Sequence, residues 1–389
     1  MRRPGHLALP VALAAACGAL LWAAPTLHAY PQWQFTTGAV RCNQCHFAPA
    51  GGGLITGYGR DFNGEDLATF EGDGAFAHGA VDLPGHLKLG ADLRLAALAH
   101  DNGGADSPQR ALFPMQADVH ARVIFGEFAL QAIGGARGQV RHLDSELPPG
   151  TVRPANPHRL ISREHWLSWQ PAAQGVYVRA GRFFAPFGLR LAEHVANIRR
   201  DLGFNTLQET YNLSGGYLAD GWEAHATVLG PDFLQSGSRE TGFAAFGEYR
   251  LLDRTAAIGA QSKFTGEPGS KRWVAGLVWK MYFEPASLLA LAEANYALQM
   301  PSAASASVGQ FVGLFGLSWL PPLKGLLITA WVEKTQTDVT LADTGLGAFT
   351  GLLSWFPYAH FEVQLVGRFV AADDGDIWPT FLAQLHYFL

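Results

Sequence analysis

The sequence predicts an all-β protein, namely a transmembrane antiparallel β-barrel of about 16 strands that follows a short irregular segment. Three observations predict this fold. Residues 86–389 consist of runs of about ten to fourteen residues in which apolar and polar side chains alternate. The links between these runs are alternately short and long. Trp and Tyr recur near the ends of the runs, where a membrane barrel carries its aromatic girdles.

Residues 1–29 are typical of a secretory signal peptide. Arg2 and Arg3 form a positive start, Leu7 to Ala24 form an apolar stretch, and Leu27–Ala29 offer a cleavage site. The mature chain would then begin at residue 30. The formal net charge of −5 gives no indication of nucleic-acid binding.

The most specific motif lies at residues 42–46. These residues read Cys-Asn-Gln-Cys-His, a C-x-x-C-H pattern that is typical of covalent c-type haem attachment. In that chemistry the thiols of Cys42 and Cys45 add to the haem vinyl groups, and His46 takes one axial position on the iron. A single motif predicts one covalent haem c. Two other interpretations of the cysteine pair stay open, a disulfide in an oxidising compartment and a zinc site that recruits further ligands.

The remainder of residues 30–85 is rich in glycine and too short to bury a core of its own. We expect Gly51–Gly53 to let the backbone turn sharply beside the porphyrin. For the second axial position we prefer His78 to His86; five-coordinate iron and a ligand from a partner protein are the alternatives. We expect the haem to serve as the core of the segment, packed by Phe47, Leu54, Ile55, Tyr58, Phe62, Leu67 and Phe70.

Sixteen runs follow, an even number as bacterial barrels require. We predict strands that start near residues 86, 112, 127, 161, 175, 207, 221, 241, 255, 271, 287, 308, 324, 347, 359 and 380. The longer links are 102–111, 139–160, 187–206, 231–240, 301–307, 337–346 and 372–379. Only the link 266–270 departs from the alternation of short and long. If the N-terminal segment is periplasmic, every long link lies outside, as in outer-membrane barrels.

The polar faces of the predicted strands should line a wet lumen. Such lumens are normal in barrels, so their polar side chains need no catalytic role. The sequence shows no hydrolase triad, P-loop or Rossmann pattern, and we predict that the protein is not an enzyme. The side chains that we place in the lumen are Asp118, Arg122, Arg179, Glu223 and Glu362, together with His120, His225 and His386.

Two family resemblances cover nearly all of the mature chain. Cys42–His46 resembles the attachment site of c-type cytochromes, and residues 86–389 resemble a porin-type outer-membrane barrel in pattern. The stretch from Cys42 to Gly53 is similar to haem-bearing N-termini of barrels in Gram-negative bacteria rich in cytochromes. These resemblances imply a bacterial outer-membrane location, surrounded by lipid, with the haem segment in the periplasm. They also imply periplasmic or outer-membrane cytochromes as partners, small solutes in the lumen and a homotrimer.

The third long link, residues 187–206, carries several charged residues, including Arg190, Glu193, Arg199 and Arg200. In sixteen-stranded porins the corresponding loop commonly folds into the lumen and narrows it. The resemblance therefore implies a constriction with a surplus of Arg, which would favour anions. The alternative is an ordinary surface loop with solvated charges.

These expectations combine into one functional hypothesis with an alternative. The main hypothesis is a porin-like outer-membrane barrel that carries one haem c and takes part in electron transfer at or across the membrane. The alternative is a general or anion-preferring diffusion porin whose haem segment is a plug or a redox sensor. One haem cannot itself cross a hydrocarbon core of about 30 Å, so a conduit would need partner haems in the lumen or at each mouth.

Overall fold

The computed structural model describes residues 31–36, 38–101, 108–136, 160–193, 195–205, 208–234, 239–301, 306–373 and 375–389. The predicted signal peptide lies outside these residues. Within them the chain forms sixteen β-strands. They are β1 (Leu87–His100), β2 (Gln109–Phe125), β3 (Phe128–Ala136), β4 (Leu160–Trp169), β5 (Gly175–Phe183), β6 (Thr210–Leu218), β7 (Trp222–Leu229), β8 (Thr241–Leu251), β9 (Ala256–Glu267), β10 (Ser270–Phe283), β11 (Leu288–Pro301), β12 (Val308–Trp319), β13 (Leu326–Gln336), β14 (Gly345–Trp355), β15 (Phe361–Ala372) and β16 (Ile377–Phe388).

The strands close into one antiparallel barrel. Each strand pairs with its neighbours in sequence, and β1 also pairs with β16, from Asp92 opposite Phe388 to His100 opposite Thr380. Closure leaves no free sheet edge, so the backbone groups of the wall are satisfied within the sheet. The predicted fold class is confirmed, and each strand begins within about three residues of its predicted start.

The links at the two ends of the barrel differ in length, as predicted. The end with short links, such as residues 126–127 between β2 and β3, is called the turn end below, and the opposite end is called the loop end. The longest described link at the loop end runs through residues 184–209 between β5 and β6. The predicted exception is also present, because only residues 268 and 269 separate β9 from β10 at the loop end.

Side chains alternate between the lumen and the outer surface, with polar groups inward. In β7, Glu223 and His225 are buried in the lumen, while Trp222 and Val228 are exposed on the outside. This arrangement is the reverse of that in a water-soluble barrel, and it suits a wall that faces lipid. All the side chains predicted to face the lumen are buried, namely Asp118, Arg122, Arg179, Glu223, Glu362, His120, His225 and His386.

The lumen is partly filled by the chain itself. The link between β5 and β6 folds inward, and its Phe187, Leu189 and Phe204 belong to the largest buried apolar cluster. This cluster also contains wall residues such as Phe246 of β8 and Leu291 of β11. Of the two arrangements open for residues 187–206, the structure therefore shows the inward one.

The N-terminal segment takes its core from the barrel. Its Trp33, Phe62 and Leu67 pack in one cluster with Leu320, Leu327 and Phe356, which lie on the barrel at the turn end. Tyr58 and Phe70 are 46% and 61% exposed, so the prediction that they pack inside the segment is wrong. The physical reason is that the barrel, rather than the segment alone, covers the apolar side, and residues on the far side face out of the barrel.

The helices of the described residues are short and lie in the N-terminal segment, the turns and the inward link rather than in the barrel wall. They are α1 (Cys42–Cys45), α2 (Gly57–Phe62) and α3 (Asn197–Arg200), with a π-helical turn at Asn63–Leu67 and 3-10 turns at Pro31–Trp33, Phe76–Gly79, Leu252–Arg254 and Glu284–Ala286. None of the helices in the described ranges is long and apolar enough to cross a membrane.

Candidate haem site inside the barrel

Residues 31–85 close the turn end of the barrel and are called the plug below. The plug bonds to widely separated strands and turns around the barrel. Arg41 donates to Asp220 in the turn between β6 and β7, with Nε 2.9 Å from Oδ1. On another side, the backbone N–H of Thr69 donates to the carbonyl of Phe356, 2.9 Å away, after β14. These contacts fix the plug to the wall at several points of the circumference.

A buried polar triad adds a further attachment. Lys280 of β10 donates through Nζ to Gln34 Oε1 and to Glu248 Oε2, both at 2.6 Å. Gln34 in turn donates through Nε2 to Glu248 Oε1 at 3.0 Å. All three residues are buried. The amide of Gln34 from the plug therefore supplies hydrogen bonds to the buried ion pair that Lys280 and Glu248 form on the wall.

The haem-attachment motif forms one helical turn and a tight loop. Cys42 and Cys45 are the first and last residues of α1, and Gln44 accepts the backbone N–H of Arg41 at 2.9 Å, which closes the start of the turn. His46 then pairs with Ile55 in an isolated antiparallel bridge. Between them, Gly51–Gly53 all have positive φ, as the predicted sharp turn requires.

The glycine turn lies directly against one side of the motif. A Cβ added to Gly51 would lie 3.4 Å from Cys42 Cβ and 3.7 Å from His46 Cδ2. A Cβ added to Gly53 would lie 3.0 Å from Ile133 Cδ1 on the wall. The turn therefore fills the narrow space between the motif and β3, and leaves the remaining sides of the motif to face the lumen.

The inward loop, residues 184–209, forms the other side of the site. Its Leu189 donates its backbone N–H to Glu293 of β11 at 2.7 Å. Its Asn197 donates through Nδ2 to Thr335 of β13 at 2.9 Å, and accepts from Arg368 of β15 at 2.9 Å. The loop thus crosses the lumen from β5 to the opposite wall. Buried polar groups of the wall hold it there.

A cavity of about 310 Å³ separates the plug from the inward loop. This volume is at the small end of the range of about 300–1,000 Å³ that ligand sites occupy. Cys42, Cys45 and His46 line it from the plug, and Phe187 and Arg190 line it from the loop. The structure therefore brings three of the four predicted site residues to one cavity.

Burial controls the charge of the groups around this cavity. It raises the pKa of the Cys42 thiol to about 11 and that of the Cys45 thiol to about 12, so both are neutral at pH 7. It lowers the pKa of Arg190, and lowers the pKa of Arg199 to about 10, yet both guanidinium groups stay cationic at neutral pH. The cavity therefore combines neutral sulfur groups with cationic groups, and carboxyl groups such as Asp92, Glu223 and Glu293 line it as well.

The residues present fit the requirements of a covalent haem. Cys42, Cys45 and the adjacent imidazole of His46 face one cavity, and aromatic side chains supply apolar walls. Arg190 is placed beside the motif, since its Nη1 donates to the carbonyl of Ala50 at 2.9 Å. Its guanidinium is of the right charge and geometry to pair with a haem carboxylate.

The other two interpretations of the cysteine pair find less support. The two thiols are not joined to each other. Within the ranges that the structure describes, no group of three or more His, Cys, Asp or Glu side chains could hold a metal ion. A tetrahedral zinc site would need such a group.

His78 does not line the cavity with the motif. It is exposed at the turn end, where its ring lies edge-on to His360 with centroids 4.7 Å apart and its Nε2 is 3.3 Å from the Tyr387 hydroxyl. Burial lowers the pKa of His360 to about 4, so this neighbour of His78 is neutral at pH 7. The assignment of His78 as an axial ligand stays a prediction, and this placement does not favour it.

The sequence did not predict a group of stacked Arg and aromatic side chains that lies between the plug and strands β2, β4 and β5. The guanidinium of Arg122 lies 4.8 Å from the ring of Phe47 and 5.2 Å from that of Trp166. Arg179 lies over Trp166 as well, and 3.7 Å from the ring of Phe183. Such stacking holds buried guanidinium groups by cation–π attraction. Pairs between a plug residue and distant strands leave no local pattern in the sequence.

Three solved structures illustrate what the chain is similar to. OprB of Pseudomonas putida at high pH has a TM-score of 0.62 and 8% identity, and the match covers 78% of this chain and 94% of that chain. An anion-selective porin from Comamonas acidovorans has a TM-score of 0.59 and 11% identity, covering 78% and 99%. The trimer form of OmpT, an outer membrane protein of Vibrio cholerae, has a TM-score of 0.55 and 10% identity, also covering 78% and 99%.

These similarities establish the fold of the barrel and nothing finer, because so few residues are identical. No family model and no curated protein matches the sequence. The haem site must therefore be argued from the residues of this chain.

Proposed function

We propose that this protein is a bacterial outer-membrane barrel that holds one covalent haem c in its lumen and transfers electrons at or across the membrane. The observation that supports this proposal is the cavity between the plug and the inward loop. It gathers Cys42, Cys45 and His46, which the C-x-x-C-H pattern would require. The solved outer-membrane barrels of the same fold support the location.

Each group at the site would have one role. Cys42 and Cys45 would hold the haem through thioether bonds, and His46 would bind its iron. Arg190 would hold a carboxylate of the haem against the loop. When bound, the haem would supply one reversible electron step, Fe(III) plus one electron giving Fe(II), in exchange with a periplasmic or outer-membrane cytochrome. No substrate bond is made or broken, and we assign no enzymatic activity.

The depth of the cavity bears on whether electrons could cross the membrane. Its wall residues range from Phe388, the first residue of β16, to Gln116, the tenth residue of β2, both counted from the turn end. With about 2.5 Å of barrel height per tilted residue, the cavity extends from the turn end to about 25 Å above it. A haem in the middle of this cavity would lie about halfway across a 30 Å hydrocarbon core. The distance from the haem to a partner cytochrome at the loop end would then be shorter than the distance from a haem in the periplasm.

The proposal is tested by reconstitution in vesicles. The protein, matured in cells that attach haem c, is placed in liposomes that contain an oxidised cytochrome c, and a membrane-impermeant one-electron reductant is added outside. We expect one covalent haem per chain by pyridine haemochrome spectroscopy, and reduction of the trapped cytochrome. The double variant Cys42→Ser, Cys45→Ser is the matched control. A colourless wild-type protein would refute the haem, and a coloured protein without flux would refute the conduit.

The second candidate function is a diffusion channel, general or anion-preferring, that the haem segment closes or gates. The barrel shares its fold with an anion-selective porin, and charged side chains line its lumen. Conductance in planar bilayers separates the two candidates. We expect the whole protein to conduct poorly and a variant without residues 30–85 to conduct ions. Large conductance of the whole protein would favour the channel, and a change with haem oxidation state would favour redox gating.

The same proposal includes the expected partners. Lipid surrounds the outward apolar side chains, and cytochromes meet the protein at its mouths. Small solutes enter the lumen only in the channel version. A homotrimer is also proposed, supported by the trimer form known for one barrel of the same fold.

A further inference from the structure

The lumen of the barrel holds several histidines, and nearly all of them are already engaged. His386, which also lines the cavity, has Nδ1 2.9 Å from Glu362, and its Nε2 makes no hydrogen bond among the described residues but forms an ion pair with Asp92 at 3.0 Å. His225 has Nδ1 2.7 Å from the Tyr177 hydroxyl and Nε2 3.4 Å from Glu223. Both rings are therefore held by neighbours on each side.

His165 of β4 lies on the outward face, opposite the exposed Ala132, and is engaged in the same way. Its Nδ1 is 2.9 Å from Ser162 Oγ, and its Nε2 is 3.0 Å from the Tyr211 hydroxyl. An imidazole that binds iron must offer one ring nitrogen with a free lone pair. Each of these three histidines would have to give up a partner to do so.

His120 of β2 differs from them. It is 5% exposed, and its buried Nδ1 has no hydrogen-bond partner among the residues that the structure describes. Leaving a buried polar nitrogen without a partner costs free energy, so such a group commonly marks a place where something else binds. His120 also lines the cavity that Cys42, Cys45 and His46 line.

The surroundings of His120 place it beside the motif. Its partner across the ladder is Ile133 of β3, and Ile133 Cδ1 would lie 3.0 Å from a Cβ on Gly53. On its other side, a Cβ on Gly90 would lie 3.6 Å from His120 Cβ and 2.6 Å from Leu54 Cδ1. His120 and the loop that begins at His46 therefore share two neighbours on the wall, Ile133 and Gly90.

We propose that His120, supplied by the barrel wall, is the second axial ligand of the haem that His46 binds from the plug. This assignment rests on the proposed function, because it requires the covalent haem. Its observations are the shared cavity, the unpartnered buried nitrogen and the wall neighbours that His120 shares with residues 46–55. His46 from the plug and His120 from β2 would then both bind the iron, and the environment of the iron would depend on the folded barrel.

The test uses the whole haem-bearing protein and four forms of it: wild type, His120→Gly, His120→Met and His78→Ala. Pyridine haemochrome spectroscopy first counts covalent haem, and heat-modifiable migration on gels shows that each barrel is folded. Electron paramagnetic resonance and near-infrared magnetic circular dichroism then identify the axial ligands. His78→Ala is the matched control, since it removes the ligand that the sequence favoured.

We expect wild type and His78→Ala to be low-spin with two imidazole ligands. His120→Gly should become high-spin and return to low-spin when imidazole is added. His120→Met should stay low-spin, gain a sulfur-to-iron charge-transfer band and have a higher reduction potential than wild type, as Met ligation raises it. If His120→Gly fails to fold, the His120→Met spectrum decides.

Three results would overturn the assignment while leaving the haem in place: a high-spin wild type, an unchanged spectrum in both His120 variants, or loss of the low-spin signal in His78→Ala. A wild-type protein with no covalent haem would overturn the proposed function and this assignment together. The two failures are therefore distinguishable from the first measurement.

Discussion

Removal of the Arg41 side chain should loosen the plug without unfolding the barrel. Arg41 is 6% exposed and makes three hydrogen bonds, to Asp220 at 2.9 Å, to Asn43 at 3.0 Å and to the carbonyl of Ala173 at 2.8 Å. A hydrogen bond to a charged group contributes about 1.5–3 kcal/mol when its partner is buried. Asp220 is 39% exposed, so water can replace part of what is lost. We therefore expect Arg41→Ala to cost about 2–3 kcal/mol in the docking of the plug.

Arg254→Ala is a matched control for that change. Arg254 pairs with the same Asp220 at 3.4 Å, but it is 54% exposed and belongs to the turn between β8 and β9 rather than to the plug. An exposed pair of this kind contributes about 0–1 kcal/mol. Amide hydrogen exchange of residues 31–85, in the protein held in lipid nanodiscs, measures the opening of the plug. A cost of 2–3 kcal/mol corresponds to about 30- to 150-fold faster exchange in Arg41→Ala. Equal exchange in the two variants would refute the reasoning that Arg41 anchors the plug.

Two further predictions concern the motif and the inward loop. Gly59→Ala should destabilise the plug by about 1–3 kcal/mol, because the new Cβ would lie 2.5 Å from Ile55 Cγ2 and 2.7 Å from the Cys45 carbonyl oxygen. Gly57→Ala is the control and should be nearly neutral, because its Cβ would meet no atom within 4 Å. Amide exchange of residues 42–62 should be faster in Gly59→Ala than in Gly57→Ala, and equal rates would contradict this prediction. Burial raises the pKa of Glu193 to about 7. The free energy that holds the inward loop in place is therefore most favourable below pH 4.5, the unfolded pKa, where the Glu193 carboxyl is protonated in both states. This free energy falls by up to about 3 kcal/mol as the pH rises through about 7, because the carboxyl must then ionise while buried. Exchange of residues 187–193 in wild type, divided by that in Glu193→Gln at each pH, should therefore rise between pH 5 and 8, and a flat ratio would rule out this titration.

The barrel wall was predictable because its signal is local and repeated. In β2, Val119 and Val123 point outward while Asp118 and Arg122 point inward, and the same alternation recurs in strand after strand. A period of two residues reports strand structure directly, and the apolar face fixes the register. The link lengths then fix which ends of the strands lie together.

The inward loop was only partly predictable. Its charges, such as Arg190 and Arg199, suited either a constriction or a solvated surface. The apolar residues Phe184, Phe187 and Leu189 could have decided between these two arrangements, because so many large apolar side chains are unusual in a link at the surface. Their burial in the lumen explains why the loop leaves the surface.

The arrangement of the site could not be predicted because it depends on contacts between distant segments. Arg41 and Asp220 are 179 residues apart, and Gln34 and Glu248 are 214 residues apart. His78 is closer to the motif in sequence than His120 is, yet of these two histidines it is His120 that lines the same cavity as the motif. Proximity along the chain favoured His78, which the plug leaves exposed at the turn end while the motif lines the cavity.

The same long-range assembly limits what the C-x-x-C-H segment can do by itself. The plug supplies the thiols and His46, but the inward loop supplies Phe187 and Arg190, and the wall supplies His120. Each segment is held by buried polar contacts to a different part of the barrel, for example Gln34 to Lys280 and Leu189 to Glu293. Because solvent access and nearby charge set the potential of a haem, the barrel would determine that potential as much as the motif does. A protein of this kind would therefore use its lumen to tune and shield a redox centre, and passage of solutes would compete with that use for the same space.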